Sequence, residues 1–328
     1  MFVISSTRLS AILSGISMLA VLIVPQVIQA RADKEQGSRT QQSLPNQFPF
    51  IDPNGAVATY TTDPSDRIDM TGPFFQDLGT NGRSCVTCHQ PSDAWTVSAA
   101  HVKARFEATG GTDPIFRTVD GSDCDQYIDV STLAGRAKAY SLLTTRGLIR
   151  IALPVPANAE FEVVSVNNPY GCNDMSNLSM YRRPLPAANL RFLSTVMFDG
   201  RESSTQTGTK KITFATNPSD LLFDLAHQAV DATLGHAQAA SAPTIEQQQG
   251  IVNFEMGLSV AQIFDFRAGF LHSDGATGGP VPISSQQFFA PDRSSRANFA
   301  RNTSPSRVRP RSSVAIIDSS TIFAICTW

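Results

Sequence analysis

Charge is scarce. Asp, Glu, Lys and Arg together make up 16% of the 328 residues, against roughly 25% in an average soluble domain. Net charge is close to zero, at −2, so the chain lacks the basic footprint that a nucleic-acid partner demands. After the first thirty residues no apolar run is long enough to cross a bilayer, which excludes a later membrane span. No repeat of 20 to 50 residues is visible, which excludes a solenoid. Cysteine is rare, with five in the whole chain, and neither a second C-x-x-C nor an H-x-x-x-H pair occurs. A four-ligand zinc site at ordinary spacing is therefore disfavoured.

What is present begins with "MFVISSTRLSAILSGISMLAVLIVPQVIQARA". Arg8 opens it, an uncharged stretch with the apolar centre "MLAVLIV" follows, and Ala30-Arg31-Ala32 fits an A-x-A cleavage site. Residues 1–30 read as a secretory signal, with a retained anchor as the competing reading. The expectation is a periplasmic protein with no membrane span after cleavage. Residues 31–46 read as a polar, flexible lead-in.

"NGRSCVTCHQPSDAW" holds two of the cysteines, and Cys85-Val86-Thr87-Cys88-His89 matches C-x-x-C-H, the attachment signature of c-type haem. Two thiols at this spacing can each add across one of the two vinyl groups of one haem. The following imidazole then lies where it can ligate the iron. Cys85 and Cys88 are the expected cofactor anchors and His89 the metal ligand. A thioredoxin-like pair would need a βαβ setting, whereas the polar turn "LGTNGR" precedes this one. Candidates for the opposite axial position are His101, His227, His236, His272, Met180 and Met197, with hydrogen-bonded or packed core residues as the competing reading. In an exported chain Cys124 and Cys172 pair most simply with each other, as a staple of about 4 kcal/mol on the chain-entropy view.

Helical periodicity predicts helices in "TLAGRAKAYSLLTTRGLIRI", in "NPSDLLFDLAHQAVDATLGHAQAA" and in "PTIEQQQGIVNFEMGLSVAQIFDF". The second has Ser219 as N-cap and an inward stripe of Leu222, Ala226, Ala229, Thr233 and His236. The third has a Thr244–Gln247 capping box and a stripe of Ile251, Phe254, Leu258 and Ala261. "EFEVVSV" predicts a short strand. The fold class expected is mainly α, with cytochrome c-like helical domains, long Pro-rich loops and a small β element.

The blocks "DLGTNGRSCVTCHQPSDAW", "SMYRRPLPAANLRFLSTVMFDGRESS", "DLAHQAVDATLGHAQ" and "IVNFEMGLSVAQ" resemble, in their order, the bacterial dihaem cytochrome c peroxidase and MauG-like cytochrome c group. The likeness runs from about residue 50 to 285, within a haem region of 47–289. It implies an exported protein of two cytochrome c-like helical lobes that receives electrons from a small redox protein or a quinol-linked donor. Phe198-Asp199-Gly200-Arg201 resembles the group's W-D-G-R. Peroxidases of the group use a Gln and a Glu on the following helix, and the resemblance carries the first onto Gln228. The second falls near His236, where no Glu stands. Gln228 and His236 are thus the catalytic candidates. The group also binds calcium between its lobes, and Asp113, Asp120, Asp123 and Asp125 are candidate ligands, solvated turn acids being the competing reading. The group's second C-x-x-C-H is missing here. In its place residues 290–328 carry six arginines between Arg293 and Arg311 and much serine, which reads as a truncated or frameshifted second lobe, with a basic tail for an acidic partner as the alternative.

The expected function is an exported c-type cytochrome carrying one covalent haem and transferring electrons. A peroxidase reducing hydrogen peroxide and a haem-based sensor are the alternatives.

Overall fold

The computed structural model describes residues 42–124, 128–203 and 212–286. The expected export signal, the Arg-rich tail and Asp125 lie outside the described residues. Among the described residues no helix is long and apolar enough to cross a membrane.

Four short strands come first: β1 (Ser43–Pro45), β2 (Phe50–Asp52), β3 (Gly55–Thr61) and β4 (Arg67–Asp69). β1 pairs with β4, so the end of the expected flexible lead-in is tied into a sheet. Three helices follow, α1 (Ala99–Thr109), α2 (Leu133–Ala139) and α3 (Ser141–Arg146), and then the hairpin-like pair β5 (Ile149–Pro154) and β6 (Asn177–Arg182). The last part holds α4 (Pro218–Gly235), α5 (Ile245–Gly257), β7 (Leu258–Asp265), β8 (Gly269–Phe270) and α6 (Pro280–Ser284). A four-stranded antiparallel sheet runs β2-β3-β7-β8.

The expectation of a mainly α, cytochrome c-like architecture is overturned. The described residues are 31% helix and 17% strand, in six helices and three small sheets. The physical reason is clearest at β7. The Thr244–Gln247 capping box starts α5 as expected, but the helix stops at Gly257 and Leu258 turns extended. "LSVAQIFD" pairs along its whole length with β3, from Thr61 opposite Leu258 to Gly55 opposite Asp265, with a bulge between Ala56 and Val57. Its branched and aromatic side chains suit a pleated sheet, and the long-range partner decides. Gly55 is required there, since a Cβ would stand 1.9 Å from the Phe264 carbonyl oxygen.

Two other expectations shift in the same way. The helix expected over 132–151 ends at Gly147, which is left-handed, and Ile149–Pro154 becomes β5, paired with β6. "EFEVVSV" forms no strand. In α4 the cap is Asn217, whose side chain accepts from the Asp220 N–H, with Pro218 in the first turn, where a missing donor costs nothing. The buried stripe is accordingly Leu221, Asp224, Leu225, Ala229 and Thr233, while Leu222 is exposed. The Cys124–Cys172 disulfide is formed as expected, with the Cα atoms 5.5 Å apart.

Apolar side chains gather in three clusters. One holds Ile68, Phe74, Trp95, Ile251 and Leu258 and is bordered by Cys85. The second holds Val102, Phe116, Tyr140 and Leu143 and is bordered by Cys88. The third joins Leu190, Leu221, Leu225 and Val252. The cysteine pair therefore lies where two cores meet.

Candidate functional site

The motif forms one tight turn. Cys85–Thr87 is a 3-10 turn closed at its start by a reciprocal Ser84–Thr87 capping box. The amides of Cys88 and His89 both donate to the Cys85 carbonyl, at 3.2 and 3.0 Å. Arg105 of α1 donates to the Thr87 carbonyl at 2.7 Å and is itself held by Asp113 at 2.5 and 3.0 Å. Cys85 and Cys88 are not joined to each other, and with His89 each retains a part-exposed surface.

The thiols are poor disulfide-exchange groups as they stand. Surrounding apolar side chains push Cys85 up to about 12, with the buried Glu255 carboxyl adding to the effect. Burial pushes Cys88 up to about 11. A disulfide-exchange pair needs the opposite, a lowered thiol. The structure adds a physical argument here to the sequence argument against a thioredoxin-like pair.

His89 is oriented by an unusual turn. Its Nδ1 lies 2.9 Å from the Trp95 carbonyl oxygen, and an imidazole bonded in this way through Nδ1–H keeps its Nε2 lone pair for a metal. The carbonyl is aimed by two successive left-handed residues, Ala94 at φ 55° and Trp95 at φ 62°, a conformation costing roughly 1–2 kcal/mol per non-glycine residue. Burial of Trp95 holds the turn. The side chain is fully buried, its indole N–H donates to Thr59 Oγ1 at 2.8 Å, and Phe74, Phe75 and Phe254 surround it. The Ala187 amide also donates to the Trp95 carbonyl, at 2.9 Å. Burial keeps the His89 imidazole below its usual range, outweighing the Trp95 and Leu185 backbone contacts that favour its charged form. The ring is thus neutral at pH 7, the form that ligates metal.

His236 is tied to the segment just before the motif, its carbonyl accepting from Asn81 and Arg83. It caps the C-terminal end of α4, and its charge adds to the effect that keeps His89 neutral. Its Nδ1 bonds Asp120 Oδ2 at 2.5 Å, and Asp120 Oδ1 accepts from Arg83 Nη1 at 2.6 Å. Asp120 and Arg83 are both buried. Burial alone would raise the Asp120 carboxyl, but His236 and Arg83 outweigh it and hold the group below the usual carboxylate range. The segment just before the motif clamps the same corner. Thr80 bonds the Ala237 and Gln238 carbonyls through its amide and hydroxyl, and Asn81 Nδ2 donates to the His236 carbonyl at 2.8 Å. Gly79 permits this approach, because a Cβ would meet the Ala237 oxygen at 1.9 Å.

Gln228 and His236 line one cavity of about 230 Å³, with Arg201, Glu202, Asp231 and Met197. The other axial candidates are engaged elsewhere. His101 pairs with Asp93 at 2.7 Å on an exposed face of α1, His227 bonds Glu202 at 2.6 Å, His272 is exposed beside Phe270, and Met180 is exposed on β6. The acids considered for calcium have separate partners: Asp113 meets Arg105, Asp120 meets Arg83 and His236, and Asp123 meets the Leu142 amide and Ser141. Asp120 and Asp123 are buried rather than solvated.

Nothing in the sequence singles out Arg83, Trp95 or Glu255, and Asp120 reads there as a calcium ligand or a solvated turn acid rather than as the buried partner of Arg83 and His236. No family model, curated protein or solved structure matches the chain.

Proposed function

We propose that the protein is an exported c-type cytochrome that carries one haem, anchored by Cys85 and Cys88, with His89 Nε2 as an iron ligand. The observation that carries the reading is the pair of unjoined thiols on one turn, followed by a neutral imidazole whose Nδ1 is engaged by the Trp95 carbonyl. Such an arrangement fits covalent attachment: each thiol would add across one vinyl group, its sulfur going to one carbon and its proton to the other, with no leaving group. When bound, haem supplies one-electron chemistry at its iron. The chain's own contribution is to anchor it, to keep the imidazole neutral and fixed, and to surround the anchors with apolar side chains from two cores. A small redox protein or a quinol-linked donor is the proposed partner, and the periplasm the proposed compartment.

A peroxidase remains the second reading, favoured by Gln228 and His236 sharing one cavity. In it His236, fixed through Asp120, would hold or deliver a proton at its free ring nitrogen.

Expression of the full chain in cells competent for cytochrome c maturation tests the proposal. A pyridine haemochrome assay with intact-mass measurement should find one haem per polypeptide, and Cys85→Ser with Cys88→Ser should abolish its covalent retention. A colourless product without added porphyrin mass would overturn it. A low-spin, six-coordinate spectrum would favour electron transfer. A high-spin ferric spectrum with peroxide turnover lost in Gln228→Ala or His236→Ala would favour the peroxidase.

A further inference from the structure

The side chains of Glu202, His227 and Asp231 each offer a ligand atom within 4.8 Å of the other two. His227 and Asp231 are four residues apart on α4 and so stand on one face, a turn apart. Glu202 reaches them from the loop that follows the Phe198-Asp199-Gly200-Arg201 stretch, and it is buried, at 3% exposed. Glu202 and Asp231 border the cavity of about 230 Å³, which leaves room for water or a small ligand at one side.

A second, independent observation favours a cation site here. Asp224, one turn before His227 on the same helix, is 4% exposed and makes no hydrogen bond or ion pair with any described residue. Burial pushes its carboxyl up to about 6, with Asp220 and Glu202 adding to the rise. Buried acids are normally paired or bound to metal. Among the described residues Arg201 is the cation beside Glu202, at 3.7 Å, and it is engaged with Asp199 at 3.0 Å. Three carboxylates thus crowd one imidazole.

We propose that Glu202, His227 and Asp231 bind a divalent transition-metal cation of the zinc class, with Asp224 as the buried acid that supports the site. One nitrogen and two oxygens suit zinc better than calcium, which takes six to eight oxygens. The site does not depend on the haem reading.

The test is calorimetric titration of the full-length protein, stripped with chelator, with zinc, manganese or calcium chloride. One equivalent of zinc should bind, and calcium should not compete. Asp231→Asn, at an exposed position that leaves the fold intact, should weaken zinc by about tenfold or more, as should His227→Gln. Asp224→Asn should weaken it by about tenfold, the usual effect of a supporting residue. His101→Gln, an exposed histidine elsewhere, should bind as the parent does. No uptake at millimolar zinc, or uptake unchanged in Asp231→Asn and His227→Gln, would overturn the proposal.

Discussion

Glu255 gives the sharpest test of how the interior is built. It lies on the buried face of α5, 7% exposed, and its Oε2 has no hydrogen-bond partner. Burial raises its carboxyl from an ordinary 4.5 to about 8. The gap, at about 1.36 kcal/mol per pH unit, makes the cost of charging it in the folded state at most about 5 kcal/mol. The sign follows from linkage. As pH rises past 4.5 the unfolded chain releases this proton while the folded chain retains it, so the unfolded state binds fewer protons and stability falls. The loss accumulates between about pH 4.5 and pH 8 and is complete above the folded value. Glu255→Gln keeps size and polarity but has no proton to lose. Urea denaturation of parent and variant at pH 4, 6, 8 and 9 should give similar stabilities at pH 4. At pH 9 the variant should be more stable by about 2–4 kcal/mol, the part of the cost left after local relaxation. Parallel stability profiles from pH 5 to 9 would refute the reasoning, because they would mean that Glu255 is solvated or paired.

Two further substitutions probe the corner that holds His236. Asp120→Asn leaves the buried Arg83 guanidinium without its ion pair, and denaturation should show a loss of about 3–5 kcal/mol. A loss below about 1 kcal/mol would place that guanidinium in water. Gly79→Ala drives a methyl into the Ala237 carbonyl. Thermal denaturation should register a loss of about 1–3 kcal/mol, in the range of overpacking, and the His236 ring resonance should move in an NMR spectrum. An unchanged resonance would show that the 79–81 clamp does not position His236.

Local chemistry was legible in the sequence wherever neighbours in the chain decide the outcome. The Thr244–Gln247 capping box and the presence of a helix at α4, though not its cap or its buried face, follow from spacing and side-chain type, and the Cys124–Cys172 bridge follows from the small number of thiols. What was illegible depends on distant partners. "LSVAQIFD" can continue a helix or enter a sheet, and β3, about 200 residues earlier in the chain, selects the sheet. "IRIALP" becomes a strand because β6 pairs with it. Asp120 looked like one more acid in a loop, since nothing nearby in sequence announces that Arg83 and His236 converge on it. The Ala94–Trp95 turn was hidden for a different reason: neither residue favours φ above zero, and only burial of the indole makes the conformation tolerable.

The architecture bears on the proposed cofactor through its anchoring. The described residues form a mixed fold of six helices and three small sheets, not a helical bundle around one pocket. A covalent anchor suits such a fold, because two thioether bonds would fix position and leave packing to exclude water. The motif turn is correspondingly the most heavily restrained part of the site. Arg105 holds it from α1, Ser84 and Thr87 close it, and Arg83 ties the residue before it to Pro114, Ile115 and Asp120. Strain at Ala94 and Trp95 is placed where it aims a carbonyl at the one imidazole that follows the thiols. A structural disulfide or a solvated loop would have no use for that carbonyl, whereas a metal-ligating histidine requires such a partner to fix its tautomer and ring plane. The turn, more than the overall fold, is therefore where the case for an iron ligand at His89 stands.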